Sequence, residues 1–275
     1  MAPDITVSAK TLKALDDLGV PYTPVQSQIV EPPQPQLVEH QTGDYIRFPE
    51  GFAGGRNDGL TVSPRRVAYE PDIEEIEREW GRKLRDTSDD SLGNPFIGRI
   101  NWQEAVDLNL ARGECSLSPA QGADFLNLLS QAKNGGIDIH SASGKKLDKK
   151  YLKQIFNDMV KAKSLWRAEY FDGASEQRED GLYILTKNKT HKERLRGGLR
   201  ENKTPGINLE SWTQDPTKQG LPRRDILEGD LYYWAPVDKS VAGLYAYSDR
   251  AGLYYNGNPA DLADDLGIRA ALQLE

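Results

Sequence analysis

The sequence predicts an α+β fold in which a helical N-terminal half packs on a mixed β-sheet domain at the C-terminus. Three observations predict it. Capped helical stretches occupy much of 101–160, strand-forming runs rich in Tyr, Leu and Ile follow from Ala168, and the last segment alternates in side-chain character with the period of a strand. Helices that are segregated from strands along a chain are typical of the α+β class.

The helices of this part of the chain have clear start signals. Asn101 and Glu104 have the spacing of a capping box, in which each side chain accepts a hydrogen bond from the other residue's backbone N–H. Ser118 stands directly before a proline, a residue favoured at the first position of a helix. Asp148 precedes a broad apolar stripe over 151–160. These signals predict three helices, each beginning directly after its capping residue.

Residues 1–93 are predicted to form an N-terminal extension that is rich in loops and contains short helices over 8–18 and 72–84. The polar stretch 86–94 is predicted to be a linker, because it has few apolar residues with either helical or strand spacing. The second domain is therefore predicted to cover 94–275.

Strand candidates fill the C-terminal half. They share aromatic or branched apolar residues and cover 168–172, 182–186, 230–234 and 241–247. A short helix is predicted between them, at 209–213. Trp166 and Trp234 are each flanked by strand-forming residues and are predicted to lie in the core.

The most informative segment is 240–271, called the tail below. It contains no Lys, Glu, Gln, Met or Trp, although these five types make up about a fifth of the whole sequence. Tyr, Gly, Ala, Asp, Asn, Ser and Leu dominate it instead, and this mixture of rigid amphipathic rings with small polar groups is typical of antibody binding sites. The gap also has a genetic interpretation. A codon AAC or AAT that is randomised at its two adenines reaches every amino acid except those five.

The order of residues within the tail predicts which side chains face solvent. Small and apolar residues take alternate positions, first at Ala242, Leu244 and Ala246 and then, with shifted parity, at Ala251, Leu253 and Tyr255. The shift predicts a bulge or tight bend at 249–250. We expect Ala242, Leu244, Ala246 and Leu253 to be buried. One contiguous exposed surface is predicted for Tyr245, Tyr247, Asp249, Arg250, Gly252, Tyr254 and Asn256.

A set of short sequence motifs, some in the tail and some upstream of it, spans about residues 94–271. They are Asn94-Pro95-Phe96-Ile97-Gly98, Asp124-Phe125-Leu126-Asn127-Leu128-Leu129, Trp166-Arg167-Ala168-Glu169-Tyr170, Gln219-Gly220-Leu221-Pro222, Gly229-Asp230-Leu231-Tyr232-Tyr233-Trp234, Ser240-Val241-Ala242, Ala251-x-Leu253, Pro259 and Leu266-Gly267-Ile268-Arg269. This set resembles the archaeal variable proteins of diversity-generating retroelements. In that family a reverse transcriptase copies a template with errors at adenines and rewrites codons at the 3′ end of the gene. The resemblance implies a C-type-lectin-like fold whose exposed surface carries the rewritten residues.

The resemblance also implies a ligand-binding site built from variable positions of the tail. These positions are Gly243, Tyr245, Tyr247, Asp249, Arg250, Gly252, Tyr254, Tyr255, Asn256, Gly257, Asn258, Ala260, Asp261, Ala263 and Asp264. Gly243 and Tyr255 belong to the set because the sequence departs from the family there: Gly243-Leu244 stands where the family has Arg-Phe, and Tyr255 where it has Cys. The implied partner is a macromolecule, a protein of unknown identity, and the implied site contains no metal and no cofactor.

The composition of the chain restricts which binding partners and which cellular locations we expect. The net charge of −7 argues against general binding to nucleic acid. A single cysteine, Cys115, excludes an internal disulfide framework. No run is long and apolar enough to span a membrane, and Met1-Ala2-Pro3-Asp4 does not begin a signal peptide. The chain is expected to be synthesised in the cytoplasm, and later display on a virion or cell surface stays open.

Other polar groups are interpreted as structural or solvated. Asp261, Asp264 and Asp265 stand close together, but the Glu-Pro-Asn and Trp-Asn-Asp motifs of sugar-binding lectins are absent, so a hydrated acidic loop is favoured over a calcium site. The basic stretch 187–203 is diluted by Glu193 and Glu201 and is interpreted as a solvated loop. The three histidines, His40, His140 and His191, lack metal-ligand spacing, and Cys115 is interpreted as a structural thiol.

The function that these features predict is non-catalytic recognition of a macromolecule through a diversified surface. Two alternatives come from other classes. A virion or cell-surface structural protein would use the Tyr- and Gly-rich tail for assembly. An enzyme is disfavoured, because no nucleophile–base–acid set and no paired carboxylates stand out in the sequence.

Overall fold

Helices and strands are both abundant in the computed structural model, which describes residues 44–89, 95–161, 167–188 and 191–274. The helices among these residues are α1 (Ile73–Trp80), α2 (Trp102–Ala111), α3 (Pro119–Lys133), α4 (Lys149–Val160) and α5 (Leu209–Gln214). The predicted α+β class is therefore confirmed. None of the helices in the described part of the chain has the length and apolar content needed to cross a membrane.

The strands are short on average and most lie in the second half of the chain. They are β1 (Ile46–Arg47), β2 (Leu60–Arg66), β3 (Arg85–Asp89), β4 (Pro95–Gly98), β5 (Cys115–Ser116), β6 (Arg167–Arg178), β7 (Gly181–Thr186), β8 (His191–Arg194), β9 (Lys203–Ile207), β10 (Leu231–Trp234), β11 (Val241–Ala246), β12 (Ala251–Gly257) and β13 (Leu266–Gln273). All four strands predicted from the sequence are present, with ends that differ by a few residues.

Eleven of these strands form one mixed sheet, in the order β1-β2-β13-β6-β11-β12-β10-β9, with β5 added to β13 and the ribbon β7–β8 added to β6. Two neighbouring pairs in this sheet are parallel, β10 with β12 and β13 with β6. The tail supplies β11, β12 and β13, which therefore lie in the middle of the sheet. Central strands are held by hydrogen bonds on both edges, so the backbone of the tail is fixed even where its side chains are exposed.

The helix starts follow the predicted caps. The Glu104 backbone N–H donates to the Asn101 side chain at 2.9 Å, and the Asn101 N–H donates to the Glu104 carboxylate at 3.0 Å, which completes the capping box of α2. Ser118 caps α3 with Pro119 as its first residue, and Asp148 accepts two backbone N–H groups at the start of α4. These three predictions are confirmed.

Two apolar clusters cover the sheet on its two sides. The larger joins α3 and α4 to the inner side chains of β10, β11 and β12, including Leu126, Leu152 and Leu244. The second joins α1, α2 and β4 to β6 and β13, including Ile76, Val106 and Ile268. The second cluster reaches β6 and part of β11 but contains no residue of β12 or β10. On that side of the sheet, β12 and β10 are therefore covered by other groups.

The N-terminal part departs from the prediction in two respects. α1 ends at Trp80 because Gly81 takes a left-handed conformation, φ +63°, so the helix is shorter than 72–84. The stretch predicted as a linker contains β3, which pairs with β4. The predicted boundary at 93–94 lies outside the described residues, and among the described ones β2, which precedes it, pairs with β13, which follows it. The helix predicted over 8–18 lies outside the described residues.

A buried ion pair ties the end of the tail to the sheet. Arg269 on β13 donates to the Glu169 carboxylate on β6 at 2.6 and 3.0 Å, and neither side chain is more than 4% exposed. The geometry is bidentate, the strongest arrangement of an arginine and a carboxylate. It holds β13 in register beside β6 and so closes the frame behind the candidate site.

Candidate recognition surface

The strands β11 and β12 form a tight hairpin. Ala246 pairs with Ala251, and the Tyr247 N–H donates to the Arg250 carbonyl at 2.7 Å, so the chain reverses over Tyr247–Arg250. The tight bend predicted from the parity shift is therefore confirmed at the predicted place. A register shift, typical of a bulge, occurs instead between Val241 and Gly243.

The inner face of this hairpin is fully packed. Ala242, Leu244 and Ala246 on β11 are each 1% exposed, and Leu253 on β12 is 0% exposed. All four buried positions predicted from the alternation are confirmed. Ala242, Leu244 and Leu253 belong to the larger apolar cluster, so the backbone of the hairpin is set by core packing.

The outer face carries tyrosines that touch one another. The ring centroids of Tyr245 and Tyr254 are 4.6 Å apart, those of Tyr245 and Tyr247 are 6.0 Å apart, and those of Tyr247 and Tyr254 are 6.3 Å apart. Each of these three side chains is half-buried. The three rings thus form one contiguous surface, as predicted.

Two residues outside the tail extend this surface. Because β10 runs parallel to β12, Tyr232 stands beside Gly252 and Trp234 beside Tyr254. The centroids of Trp234 and Tyr254 are 5.8 Å apart, and both Tyr232 and Trp234 are half-buried. We define the aromatic patch as Tyr232, Trp234, Tyr245, Tyr247 and Tyr254.

The prediction that Trp234 lies in the core is wrong. β10 alternates, and Leu231 and Tyr233 are the residues that enter the larger apolar cluster, at 2% and 0% exposure. Trp234 therefore points to the opposite side of the sheet. The alternation of Leu231-Tyr232-Tyr233-Trp234 does not reveal which parity is inward, because all four residues are apolar or aromatic. Trp166, the other tryptophan predicted to be buried, lies outside the described residues.

Two glycines create the space that the tyrosine rings fill. In the hairpin register Gly243 stands opposite Tyr254, and Tyr245 stands opposite Gly252. A Cβ atom at Gly252 would lie 2.4 Å from Cε2 of Tyr254, and a Cβ atom at Gly243 would lie 3.0 Å from Cε2 of Tyr245. Each ring therefore leans back over the glycine two residues before it.

This arrangement corrects the prediction for the two glycines. Gly243 and Gly252 belong to the outer face, but both are buried beneath the rings and do not reach solvent. They shape the aromatic patch without forming its surface.

Arg250 lies at the hairpin end of the aromatic patch. Its guanidinium carbon is 5.3 Å from the ring centroid of Tyr232 and 5.7 Å from that of Tyr247, within the range of a cation–π contact. Its Nη1 is 3.6 Å from the Asp249 carboxylate. Both residues are exposed, as predicted, and they line a cavity of about 310 Å³ together with Lys161 and Asp230.

The tyrosine hydroxyls are strongly desolvated. Burial raises the pKa of Tyr245 well above its ordinary value, and the adjacent Tyr247 and Asp261 raise that pKa further. Burial also raises the pKa of Tyr247, with the hydroxyl of Tyr254 as the next cause. These phenols therefore stay neutral at physiological pH and act as hydrogen-bonding groups only.

Tyr255 is not part of the surface, so its assignment to the ligand-binding set is wrong. It is 0% exposed and meets Tyr233 edge-on in the core, with ring centroids 6.2 Å apart. Tyr255 shares the parity of Ala251 and Leu253, and the hairpin register keeps that parity inward. Tyr255 therefore enlarges the core and adds nothing to the outer face of the hairpin.

The remaining tail positions lie at the far end of β12 and in the loop that follows. Asn256, Asn258, Ala260 and Asp264 are exposed, whereas Gly257, Asp261 and Ala263 are half-buried. Ala263 packs against the second apolar cluster. Arg99 forms a two-pronged ion pair with the Asp264 carboxylate, and its Nη2 lies 3.0 Å from Oδ2. Asp264 therefore helps to fix the loop.

The other groups singled out in the sequence stand apart from the aromatic patch. The basic stretch 187–203, interpreted as a solvated loop, contains β8, in which Lys192 pairs with Glu176 at 3.1 Å and Arg194 with Asp180 at 3.7 Å. Cys115 is half-buried and donates to the Ala271 carbonyl at 3.2 Å. His140 lies in an isolated bridge to Lys146, and His40 and Lys189 lie outside the described residues. These contacts are structural.

Comparisons with protein-family models, with curated proteins and with solved structures find no match to this chain.

Proposed function

We propose that this protein binds a macromolecular ligand, a protein, through the aromatic patch and the hairpin end at Asp249 and Arg250. The observation that carries the proposal is the sharing of one face by five aromatic rings, three of which come from a segment that lacks the five amino acids out of reach of adenine-directed mutation. In this proposal the sheet and its helices are a C-type-lectin-like scaffold of the kind that the family resemblance implies.

The chemistry of the aromatic patch supports recognition of protein. Tyrosine and tryptophan combine a large apolar contact area with a hydrogen-bonding group and few rotatable bonds, and they are enriched among the residues that dominate binding energy in interfaces. Arg250 adds a donor that stacks on two of the rings. The overall charge of −7 does not favour a polyanionic partner such as nucleic acid.

The frame behind the rings supports a role in which the surface varies. Ala242, Leu244 and Leu253 fix the hairpin through the core, so exchanging an outer side chain leaves the backbone in place. Recognition without catalysis also fits the patch: Tyr245 and Tyr247 hold their protons far above neutral pH, so neither supplies a base at physiological pH.

Two matched libraries test the proposal. The first randomises the outer positions Tyr245, Tyr247, Arg250 and Tyr254 with the codon set reachable from AAC. The second applies the same codons to Ala242, Leu244, Ala246 and Leu253. Both are displayed on yeast, sorted for folded protein with a C-terminal tag and a protease challenge, and then selected for binding to hen lysozyme as a model target.

We expect most members of the first library to survive the protease and to yield lysozyme binders, and most members of the second to be cleaved. Equal survival in both libraries would contradict the division into frame and surface. A fully folded first library without any binder would contradict the proposed binding role.

A further inference from the structure

One polar atom of the aromatic patch is buried without a hydrogen-bond partner among the described residues. The indole N–H of Trp234 is buried and donates to no acceptor, whereas the indole N–H groups of Trp102 and Trp212 donate at 2.8 Å to the carbonyls of Phe171 and Gly220. A buried donor without an acceptor is costly, and proteins seldom keep one unless it has a use. Other buried polar atoms in the described part of the chain share this state, such as the Tyr255 hydroxyl, but of these only the Trp234 indole belongs to the aromatic patch.

The ring of Tyr254 lies beside this donor. Trp234 and Tyr254 are direct neighbours on parallel strands, and their ring centroids are 5.8 Å apart with the planes 34° from each other. Trp234 is half-buried overall, and the Tyr254 ring that contacts it belongs to a side chain that rotates about single bonds. A rotation of Tyr254 away from β10 would uncover that side of Trp234.

Gly252 permits the position of Tyr254. The ring lies back over Gly252 so closely that any side chain at 252 would collide with it, at 2.4 Å from Cε2 for a Cβ atom alone. The atom that collides belongs to a ring that can move, and the backbone at Gly252 has no unusual φ. A substitution at 252 would therefore push Tyr254 aside and leave the strand unchanged.

We propose that Trp234 is a fixed hydrogen-bond donor of the recognition surface, covered by Tyr254 in the ligand-free protein, and that it takes a carbonyl or carboxylate oxygen of the ligand. This inference rests on the proposed binding function. It assigns a ligand contact to a residue outside the tail, so that a variable surface keeps one constant polar contact. Under this proposal, the residue at position 252 controls access to the Trp234 N–H, because it determines where the Tyr254 ring can lie.

The indole group determines which kind of ligand atom can bind to Trp234. The tryptophan Nε1–H donates and cannot accept, so its partner must present an oxygen lone pair. Backbone carbonyls supply such oxygens on every protein, and the carboxylates of Asp and Glu supply them with charge. A donor that stays constant while its neighbours vary suits a group that all protein ligands share.

Nuclear magnetic resonance of the full chain labelled with ¹⁵N-tryptophan tests the inference. The Trp234 indole signal is identified as the one missing from Trp234→Phe, which keeps an aromatic ring and removes the N–H. N-methylacetamide is titrated as the carbonyl probe and sodium acetate as the carboxylate probe. The indole signals of Trp102 and Trp212 are internal controls, since their N–H groups already have acceptors.

We expect the Trp234 proton signal to move downfield with at least one probe while both control signals stay in place. In Gly252→Ala the same movement should need a probe concentration about twofold to tenfold lower, the range expected when one aromatic contact no longer has to be broken. The probe that acts at lower concentration identifies the preferred oxygen. A Trp234 signal that moves no more than the controls in both proteins would overturn the inference.

Lysozyme binders from the outer-face library separate this inference from the proposed function. Introducing Trp234→Phe into several independent binders should weaken binding by roughly tenfold, the usual effect of leaving an acceptor in an interface without its donor. Melting temperatures of each pair show whether the variants fold alike. If the binders keep their affinity, Trp234 is not a shared donor even though the surface binds. If Trp234 responds to the probes and the library yields no binder, the proposed function fails and the donor assignment survives.

Discussion

The two faces of the tail hairpin are made from alternate residues of the same strands, yet they are stabilised in different ways. The inner face, with Leu244, Leu253 and Tyr255, is enclosed by the larger apolar cluster on all sides. The outer face has rings that rest on two glycines and on one another, and only Tyr245 among them also packs against the second apolar cluster. One face depends on close packing in the core, and the other on contacts between side chains that can rotate.

This difference shows how a protein can vary a surface without losing its fold. A change on the inner face leaves a cavity or an overlap that the surrounding core cannot relieve. A change on the outer face meets solvent or a mobile ring. We therefore expect the loss in free energy of unfolding caused by a substitution to depend on the face to which the side chain points, even for residues that are neighbours in sequence.

The largest effect is expected for Leu253→Ala. Leu253 is 0% exposed, and removal of its side chain should lower the free energy of unfolding by about 2–5 kcal/mol, as for other buried leucines. Urea denaturation of the wild type and the variant measures the change. A loss under about 1 kcal/mol would show that the inner face tolerates cavities, and the distinction between the faces would then disappear.

Two glycines sharpen the comparison. Gly206 has φ +141°, and a Cβ atom there would lie 2.3 Å from the Leu231 backbone carbonyl, which cannot rotate away. We expect Gly206→Ala to cost about 2–4 kcal/mol through strain and overlap. Gly252→Ala, whose neighbour is a rotatable ring, should cost within about 1 kcal/mol. Thermal and urea denaturation of the two variants should rank them in this order, and the reverse order would contradict the account of the outer face.

A smaller effect is expected for Tyr254→Ala. The variant loses the ring contacts with Tyr245 and Trp234, and such aromatic pairs contribute about 0.5–1.5 kcal/mol. Its urea denaturation curve should lie between those of the wild type and Leu253→Ala. Tyr254→Phe is the control, because it keeps the ring and removes only the hydroxyl. A Tyr254→Ala variant as unstable as Leu253→Ala would place Tyr254 in the core.

The smallest effect concerns the loop after β12. The Arg99 guanidinium holds the pKa of the Asp264 carboxyl below its ordinary value. An acid with a lowered pKa stabilises the fold above the pKa of the unfolded chain, and this contribution disappears as the pH falls through the folded-state value. We expect Arg99→Ala to raise the pKa of Asp264 towards 3.8, and Arg99→Lys to raise it less. A ¹³C nuclear magnetic resonance titration of the carboxyl group measures both, and an unchanged pKa would show that the ion pair does not persist in solution.

Local signals allowed much of the architecture to be predicted. Asn101, Ser118 and Asp148 cap their helices as their spacing indicates, because capping depends on residues only a few positions apart. The strands β1, β2, β9 and β13 are among those that were not predicted. Their pairing partners lie elsewhere in the chain, and β2, for example, is completed by β13.

For the candidate site, the sequence by itself determined the alternation of the hairpin, its bend, and therefore the buried positions Ala242, Leu244 and Leu253. The same alternation gives Tyr255 the inward parity of Ala251 and Leu253, and only the tertiary structure decided that Tyr232 and Trp234 join the aromatic patch. The reason is that periodicity reports which residues share a face, while the choice of neighbouring strand and the direction in which that face points depend on long-range pairing. The parallel contact between β10 and β12 brings Trp234 beside Tyr254, and no spacing within either strand contains that information.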